Sequence, residues 1–148
     1  MFTGRYQHSI DAKGRLAIPA KHREQLPTGS VMTIAPENCL RVYPPSEWEA
    51  VTQDMRLTVA TDPTERSLVR RLFSEAHEID FDKQGRVLIP SWLRERAGLG
   101  SSALVVGANN VVEIWSEQNW TAFEKDSGDF TGLANAVATK RQGSPGNP

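Results

Sequence analysis

The sequence contains very little cysteine and no long hydrophobic run. Cys39 is the only cysteine in the chain, so no disulfide can close within one chain. A membrane-spanning helix needs about 18 or more consecutive apolar residues, and no segment approaches that length. The opening segment MFTGRYQHSIDAKGR also lacks the apolar core of a secretory signal. These absences predict a cytoplasmic globular protein without a membrane partner, built as one domain or as two half-domains that share a core.

Motifs for catalysis and for metal binding are missing as well. His8, His22 and His77 have no ligand-like spacing, and Cys39 offers no cluster with them. The sequence has no glycine-rich phosphate loop and no zinc-protease or serine-hydrolase signature. We therefore expect no catalytic residue, no metal, no cofactor and no small-molecule substrate.

The formal net charge of −1 argues against a uniformly basic nucleic-acid-binding protein, but the charges are unevenly distributed. Residues 1–26 carry five lysines and arginines against two acidic residues, whereas residues 78–97 carry four of each. If one part of the chain binds a polyanion, the N-terminal part is therefore the better candidate.

What the sequence does contain is an internal repeat. Residues 11–24 and 82–95 match at 7 of 14 positions without a gap, so that Asp11 corresponds to Asp82. The similarity continues from 30–48 to 102–120, after one additional position in the connection of the second copy. Two copies are too few for a stacked solenoid. The pair instead predicts one body with a pseudo-two-fold axis, the intrachain counterpart of a symmetric dimer.

Each copy has the pattern of a β-rich unit. Apolar residues alternate along a first strand, a D-x-x-G turn follows, and a second strand leads to a short helix opened by Pro19 or Pro90. Two more strands and a tryptophan-bearing helix complete the unit. The predicted fold class is mainly β with short helices (α+β). The predicted boundaries are 5–48 and 76–120 for the two units, 49–75 for a helical connection, and 121–148 for a C-terminal helix and a tail disordered from residue 139.

The two turns carry the residues that are best suited to bind DNA. Residues 13–15 and 83–86 each present lysine and arginine at a hairpin tip. A β-ribbon can enter the major groove, where arginine reads guanine in a bidentate manner and lysine holds phosphate. The first tip is predicted to dominate because its copy is the more basic one. The predicted DNA-binding residues are, in this order, Arg15, Lys13, Gly14, Arg86, Lys83 and Arg5.

Asp11, Asp82 and Gly85 are predicted to have structural roles in the turns. An aspartate at the first turn position can accept hydrogen bonds from its own backbone two residues on, and glycine accepts a positive φ. The alternative role for the two arginines follows from the same chemistry. Arg15 and Arg86 would then only pair with the aspartates of their own turns, and turn chemistry alone leaves this alternative open.

Two aspartate turns related by a pseudo-dyad also suggest an aspartic protease, in which two carboxylates share a proton. An arginine four residues after each aspartate would instead keep the carboxylate ionised. Such proteases place glycine two residues after the aspartate, whereas Gly14 follows Asp11 by three residues. We therefore predict that the chain is not an enzyme.

These residues closely resemble the MraZ family of bacterial transcriptional regulators, which are built from two tandem SpoVT-AbrB domains. The similarity spans about residues 1–122 and includes both D-x-x-x-R signatures. The matching N-terminal residues are Met1, Phe2, Gly4, Tyr6, His8, Asp11, Lys13, Gly14, Arg15, Ile18, Pro19, Ala20, Arg23 and Glu24. The second copy matches at Asp82, Gly85, Arg86, Ile89, Pro90, Leu93, Arg94, Glu95, Gly98, Leu99, Ile114 and Trp115. The sequence departs from the pattern at His22, where an aromatic residue such as Phe is expected, and in the tail beyond about residue 125.

The resemblance implies two swapped-hairpin half-barrels that interlock in one pseudo-two-fold β-barrel body. It also implies a homo-oligomeric ring larger than a dimer, cytoplasmic and associated with the nucleoid. Such a ring binds double-stranded DNA at short direct repeats in its own promoter, upstream of the division and cell-wall genes, usually as a repressor. The four tryptophans are consistent with oligomer interfaces, and the alternative is that all four lie in the intrachain core.

Overall fold

The computed structural model of the chain describes residues 1–143 and contains eight strands and six α-helices. The strands are β1 (Arg5–Ser9), β2 (Arg15–Ala17), β3 (Val31–Ala35), β4 (Cys39–Tyr43), β5 (His77–Glu78), β6 (Arg86–Leu88), β7 (Ser102–Gly107) and β8 (Val112–Trp115). The helices are α1 (Ala20–Arg23), α2 (Pro45–Thr52), α3 (Pro63–Ser74), α4 (Ser91–Arg96), α5 (Glu117–Ser127) and α6 (Phe130–Gln142). This mixture confirms the predicted α+β class.

The order of the strands shows that the two copies exchange their first hairpins. Six strands form one antiparallel sheet in the order β1-β7-β8-β4-β3-β5, and β2 pairs with β6 in a second ladder. Strand β1 of the first copy therefore pairs with β7 of the second, while β5 of the second pairs with β3 of the first. When each strand is replaced by its equivalent in the other copy, the sheet order reads the same backwards. The interlocking of two swapped hairpins is thus present as strand pairing.

The six-stranded sheet is joined to the β2–β6 pair by single β-bridges, and not by a continuous ladder. Ile10 bridges Leu16 and Phe81 bridges Val87, which connects each edge of the six-stranded sheet to the β2–β6 pair. Each bridge lies beside a D-x-x-G turn, and beyond it the two strands of that hairpin separate. The first strand of each hairpin, β1 or β5, joins the six-stranded sheet, whereas the second strands, β2 and β6, pair with each other. The predicted barrel is therefore interrupted at the two places where the hairpins change partners.

Equivalent residues face each other at two places, which locates the pseudo-two-fold axis. Leu16 pairs with Val87 between β2 and β6, and Arg41 pairs with Glu113 between β4 and β8. In a dimer of identical chains, a residue on the axis would face its own copy. Duplication within one chain lets the two positions differ. The Arg41 Nε–H accordingly donates to Glu113 Oε2 at 2.8 Å.

The hydrophobic core is assembled equally from both copies. Its central residues are at most 1% exposed, and they are Leu16, Ile18, Leu40 and Val42 with their equivalents Val87, Ile89, Val112 and Ile114. Burying a side chain of this size contributes roughly 1.5–3 kcal/mol. Because each half supplies the packing partners of the other, a separated half would expose most of this surface.

The C-terminal part of the chain differs from the prediction. Residues 139–142 were predicted to be disordered, but they form the last turn of α6. The alanine-rich sequence favours helix, and the Asp129 carboxylate caps its start by accepting a hydrogen bond from Gly132 N–H at 2.7 Å. Residues 144–148 of the predicted disordered tail lie outside the described residues. Between residues 1 and 143, no helix is long and apolar enough to cross a membrane.

His22, at the position where the resemblance expects an aromatic residue, is fully buried. Its ring lies edge-on to Phe2 and Tyr6, with centroid distances of 5.5 and 5.6 Å. The equivalent residue in the second copy is Leu93, which is also fully buried. Neither ring nitrogen of His22 has a hydrogen-bond partner in the part of the chain that the structure describes. Burial lowers the pKa of His22, and the charge of Lys21 lowers it further, so the imidazole is held neutral.

We predict that cutting the helical connection does not release independent halves. A protease that cleaves the mostly exposed segment 53–61 should leave a nicked protein that still elutes like the parent under native conditions. Four ladders between the copies hold the fragments together: β1–β7, β2–β6, β3–β5 and β4–β8. Size exclusion beside a denaturing gel makes the measurement. Two separately folded fragments would contradict the shared core.

We predict that His22→Leu stabilises the fold by about 1–3 kcal/mol, because a buried polar group without a partner costs that much. The pKa of His22 is lower in the folded chain than its ordinary value of 6.5, so protonation favours the unfolded chain. The parent should therefore lose stability as the pH falls through 6.5 towards the folded-state pKa. His22→Leu should remove that part of the loss.

Thermal melts of both proteins between about pH 5 and pH 8 test this prediction. The reciprocal variant Leu93→His is the matched control, and it should destabilise the fold and steepen the decline in acid. Equal melting temperatures and equal pH slopes for the parent and His22→Leu would show that the imidazole is well accommodated.

Candidate nucleic-acid interface

Each D-x-x-G turn is organised by its aspartate. In the first turn, Asp11 Oδ1 accepts hydrogen bonds from the backbone N–H groups of Lys13 and Arg15, both at 2.9 Å. The backbone carbonyl of Asp11 accepts a further bond from Gly14 N–H at 2.9 Å. The Arg15 Nε–H then donates to Asp11 Oδ2 at 3.1 Å. The guanidinium of Arg15 is thereby held against its own turn.

The second turn repeats this arrangement almost atom for atom. Asp82 Oδ1 accepts from the N–H groups of Gln84 and Arg86 at 2.9 and 3.0 Å. The Arg86 Nε–H donates to Asp82 Oδ2 at 3.0 Å. The pairing within each turn, which the sequence left open as an alternative role of the arginines, is therefore present in both copies.

The ion pairs also cross from one turn to the other. Arg86 Nη1 donates to Asp11 Oδ2 at 3.1 Å, and Arg15 Nη1 lies 3.8 Å from Asp82 Oδ2. The β2–β6 ladder makes this crossing possible, because it sets the two hairpins side by side in antiparallel register. The four side chains form one network with 27–31% of their surface exposed. Two turns that lie far apart in the sequence, one in each copy, thus become one surface.

Both turn carboxylates are ionised at neutral pH. The hydrogen bond from the Arg15 backbone N–H is the largest influence that lowers the pKa of Asp11, followed by the Lys13 N–H and the Arg15 charge. The Arg86 N–H has the same leading effect on the pKa of Asp82. A catalytic dyad would need one of the two carboxyl groups to hold a proton. The geometry therefore argues against the protease alternative.

A second pair of arginines covers the glycines of the turns. Gly14 and Gly85 have φ values of 83° and 76°, and both are buried. A Cβ atom on Gly14 would run into the guanidinium of Arg94, and one on Gly85 would run into that of Arg23. Each of these arginines belongs to the other copy. Gly14 is buried under Arg94, and the absence of a side chain lets the arginine approach; its predicted contact with DNA stays a prediction.

Backbone carbonyl groups of their own copies hold Arg23 and Arg94 in place. Arg23 Nη1 donates to the carbonyl oxygen of Ile18 at 2.6 Å, and Arg94 Nη1 donates to that of Ile89 in the same way. Sequence reasoning passed over both residues as candidates, although they recur in the repeat at the same spacing as the turn residues. This recurrence in both copies was the sequence signal that could have identified them as site residues. Their place at the tip of the opposite copy is a consequence of the strand exchange.

The predicted site residues are only partly brought together. Lys13 and Lys83 are exposed at the tips, and neither forms an ion pair within residues 1–143. Arg5 lies at the opposite end of β1, about 20 Å from the first turn at 3.3 Å per residue. Its guanidinium lies 3.9 Å from Glu124 and 5.7 Å from the ring centre of Trp120. Arg5 is therefore not part of the tip surface.

The fold and these turns define a class of protein in which two interlocked copies of one β-rich unit carry paired Asp–Arg turns. The family model for the MraZ protein matches the chain twice, at residues 1–71 and 72–140. The chain belongs to the MraZ family.

Several relatives are similar over most of their length. The transcriptional regulator MraZ of Desulforamulus reducens is 46% identical over 138 residues, which cover 93% of this chain and 97% of that protein. The protein of the same name from Thermomicrobium roseum is 45% identical over 122 residues, covering 82% and 86%. That from Acetivibrio thermocellus is 42% identical over 140 residues, covering 95% and 96%.

We predict that Gly14→Ala and Gly85→Ala each destabilise the protein by roughly 1–2 kcal/mol, the cost of a left-handed backbone for a residue with a Cβ atom. The new methyl group would also displace Arg94 or Arg23. Gly100→Ala is the matched control, because nothing lies within 4 Å of its added Cβ. Urea unfolding gives the three free energies. Equal stability of the turn variants and the control would show that the turns tolerate a side chain.

Proposed function

We propose that this chain is a DNA-binding transcriptional regulator that reads DNA with its paired hairpin tips. The observation that carries the proposal is the joining of the two tips into one cationic surface by crossed ion pairs. The names of the relatives support the regulatory role. The chain has no catalytic role in this proposal, and it acts in the cytoplasm at the nucleoid.

The charge of the tip surface differs from that of the chain as a whole. The net charge of the chain is −1. Around the tips, six cationic side chains lie near the two turn carboxylates of Asp11 and Asp82, and Glu24, Asp80 and Glu95 are their acidic neighbours in the sequence. These cationic side chains are Lys13, Arg15, Arg23, Lys83, Arg86 and Arg94. A surface of this kind attracts the phosphate backbone, while the arginines offer the bidentate geometry that guanine requires.

We assign the principal contacts to Arg15 with Lys13, and the secondary contacts to Arg86 with Lys83. Arg86 donates from Nε to the Asp82 carboxylate and from Nη1 to the Asp11 carboxylate, and its Nη2 has no protein partner among the described residues. The ion pairs therefore fix each guanidinium in orientation and leave part of it available. Arg23 and Arg94 extend the same surface from behind the glycines and are suited to phosphate.

The proposal includes an assembly larger than a dimer that binds direct repeats. One chain offers few phosphate contacts, and salt weakens each of them. Several copies held on one assembly would raise the effective concentration of tips at neighbouring repeats without any new kind of contact. We propose that the repeats lie in the promoter of its own gene, at the head of the division and cell-wall gene cluster. Binding there would repress transcription.

A titration of DNA from the region upstream of its own gene tests the tip assignment. Arg15→Ala should weaken binding at least tenfold, since a lost guanine contact costs roughly 1–3 kcal/mol per subunit. Lys13→Ala should weaken binding equally for all sequences and reduce the salt dependence. Arg70→Ala, which removes an exposed arginine from α3, is the matched control and should bind like the parent.

Thermal melts of the same variants separate binding from folding. The ion pairs of Arg15 are partly exposed, so its removal should cost only about 0–1 kcal/mol of stability per pair. Lys13 makes no ion pair that could be lost on substitution. If Arg15→Ala binds like the parent, or loses binding only because it unfolds, the turn arginine is structural and the assignment is wrong.

A further inference from the structure

The C-terminal helix α6 stands away from the rest of the molecule. Every residue from Phe130 to Gln142 is exposed. Phe130, Leu133 and Val137 lie three and four residues apart, so they share one face of the helix, and they are 84%, 42% and 49% exposed. An isolated helix of 13 residues is marginal in water. An apolar stripe of this kind indicates that α6 packs against a partner.

The stripe continues into a groove at the base of α6. Trp120, Phe123 and Glu124 of α5 line this groove together with Phe130 and Leu133 of α6. The cavity has a volume of about 270 Å³, enough for one or two side chains. Its walls include three aromatic side chains and two exposed acidic ones, Glu124 and Asp129, and Glu124 lies 3.9 Å from Arg5. The groove therefore suits an apolar side chain followed by a positive charge.

The two ends of α6 carry opposite charges. Asp129 precedes the first turn and lines the groove beside Glu124, whereas Lys140 and Arg141 lie in the last turn. A second copy of the same helix, turned end for end, would set its basic end over the acidic groove and its stripe on the stripe. This surface is complementary to itself, as a two-fold contact requires.

We propose that α6 pairs antiparallel with α6 of a second copy of this chain. In this pair Leu133 lies opposite Val137 of the partner subunit, and Phe130 lies opposite Lys140 of the partner subunit. The basic end of each helix then faces the groove formed by Glu124 and Asp129 of the other. The pair spans about 20 Å at 1.5 Å per residue, with its apolar contacts in the middle and its charges at both ends.

This interface goes beyond the proposed function and does not involve the DNA-binding tips. A two-fold contact joins copies in pairs. If another surface builds a ring, the α6 contact joins two rings, and its loss halves the mass of the assembly. If no other surface associates, its loss gives monomers.

Light scattering on the full chain tests the contact. The double variant Leu133→Asp with Val137→Asp should reduce the mass at least twofold. Thr131→Asp with Asn135→Asp is the matched control, because it adds the same charges at the same spacing on the far side of α6. Far-ultraviolet circular dichroism and thermal melts check that the body stays folded. A parental mass for the Leu133 and Val137 variant would overturn the proposal.

Charge reversal and cross-linking test the orientation of the pair. Lys140→Glu with Arg141→Glu should lower the mass, and adding Glu124→Lys to the same chain should restore part of it. In an equimolar mixture of Leu133→Cys and Val137→Cys chains, a short thiol cross-linker should join unlike chains in preference to like ones. Cys39 is buried and leaves the background low. Preferential joining of Leu133→Cys to itself, or failure of Glu124→Lys to restore mass, would overturn the antiparallel arrangement.

Discussion

The structure depends on the passage of the chain from one copy to the other directly behind each D-x-x-G turn. At that point Leu16 meets Val87 on the pseudo-two-fold axis, and the turn charges meet above them. The two contributions differ in size. Burying the two apolar side chains contributes about 1.5–3 kcal/mol each, whereas a partly exposed ion pair contributes about 0–1 kcal/mol. The apolar pair therefore holds the crossing together, and the ion pairs determine the direction in which the arginines point.

The same crossing accounts for most of the residues that recur in the two copies. The aspartates form the turns, the glycines let the arginines of the opposite copy approach, and the turn arginines tie the tips together. Because the two copies lie within one chain, the two residues that face each other on the pseudo-two-fold axis can differ. Arg41 faces Glu113 there, although a dimer of identical chains would place two like charges together. The copies have therefore diverged where a two-fold dimer could not.

The repeat predicted much of the fold, because its turn residues and apolar alternation are local signals. Pro19, Gly14 and Asp11 define a hairpin and a helix start without knowledge of the rest of the chain. The contacts of Arg23 and Arg94 were beyond such reasoning, because each arginine meets a glycine that lies in the other copy and is distant in sequence. The order of the last turn of α6, residues 139–142, was also missed, because these residues resemble a polar tail while the cap and the alanines of the helix lie further upstream.

The two tips resemble each other in backbone but differ in the position of their lysines. Lys13 occupies the third position of its turn, where the second copy has Gln84, and Lys83 occupies the second position, where the first copy has Ala12. A two-fold symmetric reader matches an inverted repeat, because both of its halves require the same half-site. Tips that differ in this way favour a site without internal symmetry. If the tips bind DNA as proposed, successive copies would then meet such sites in one direction, which is the arrangement of a direct repeat.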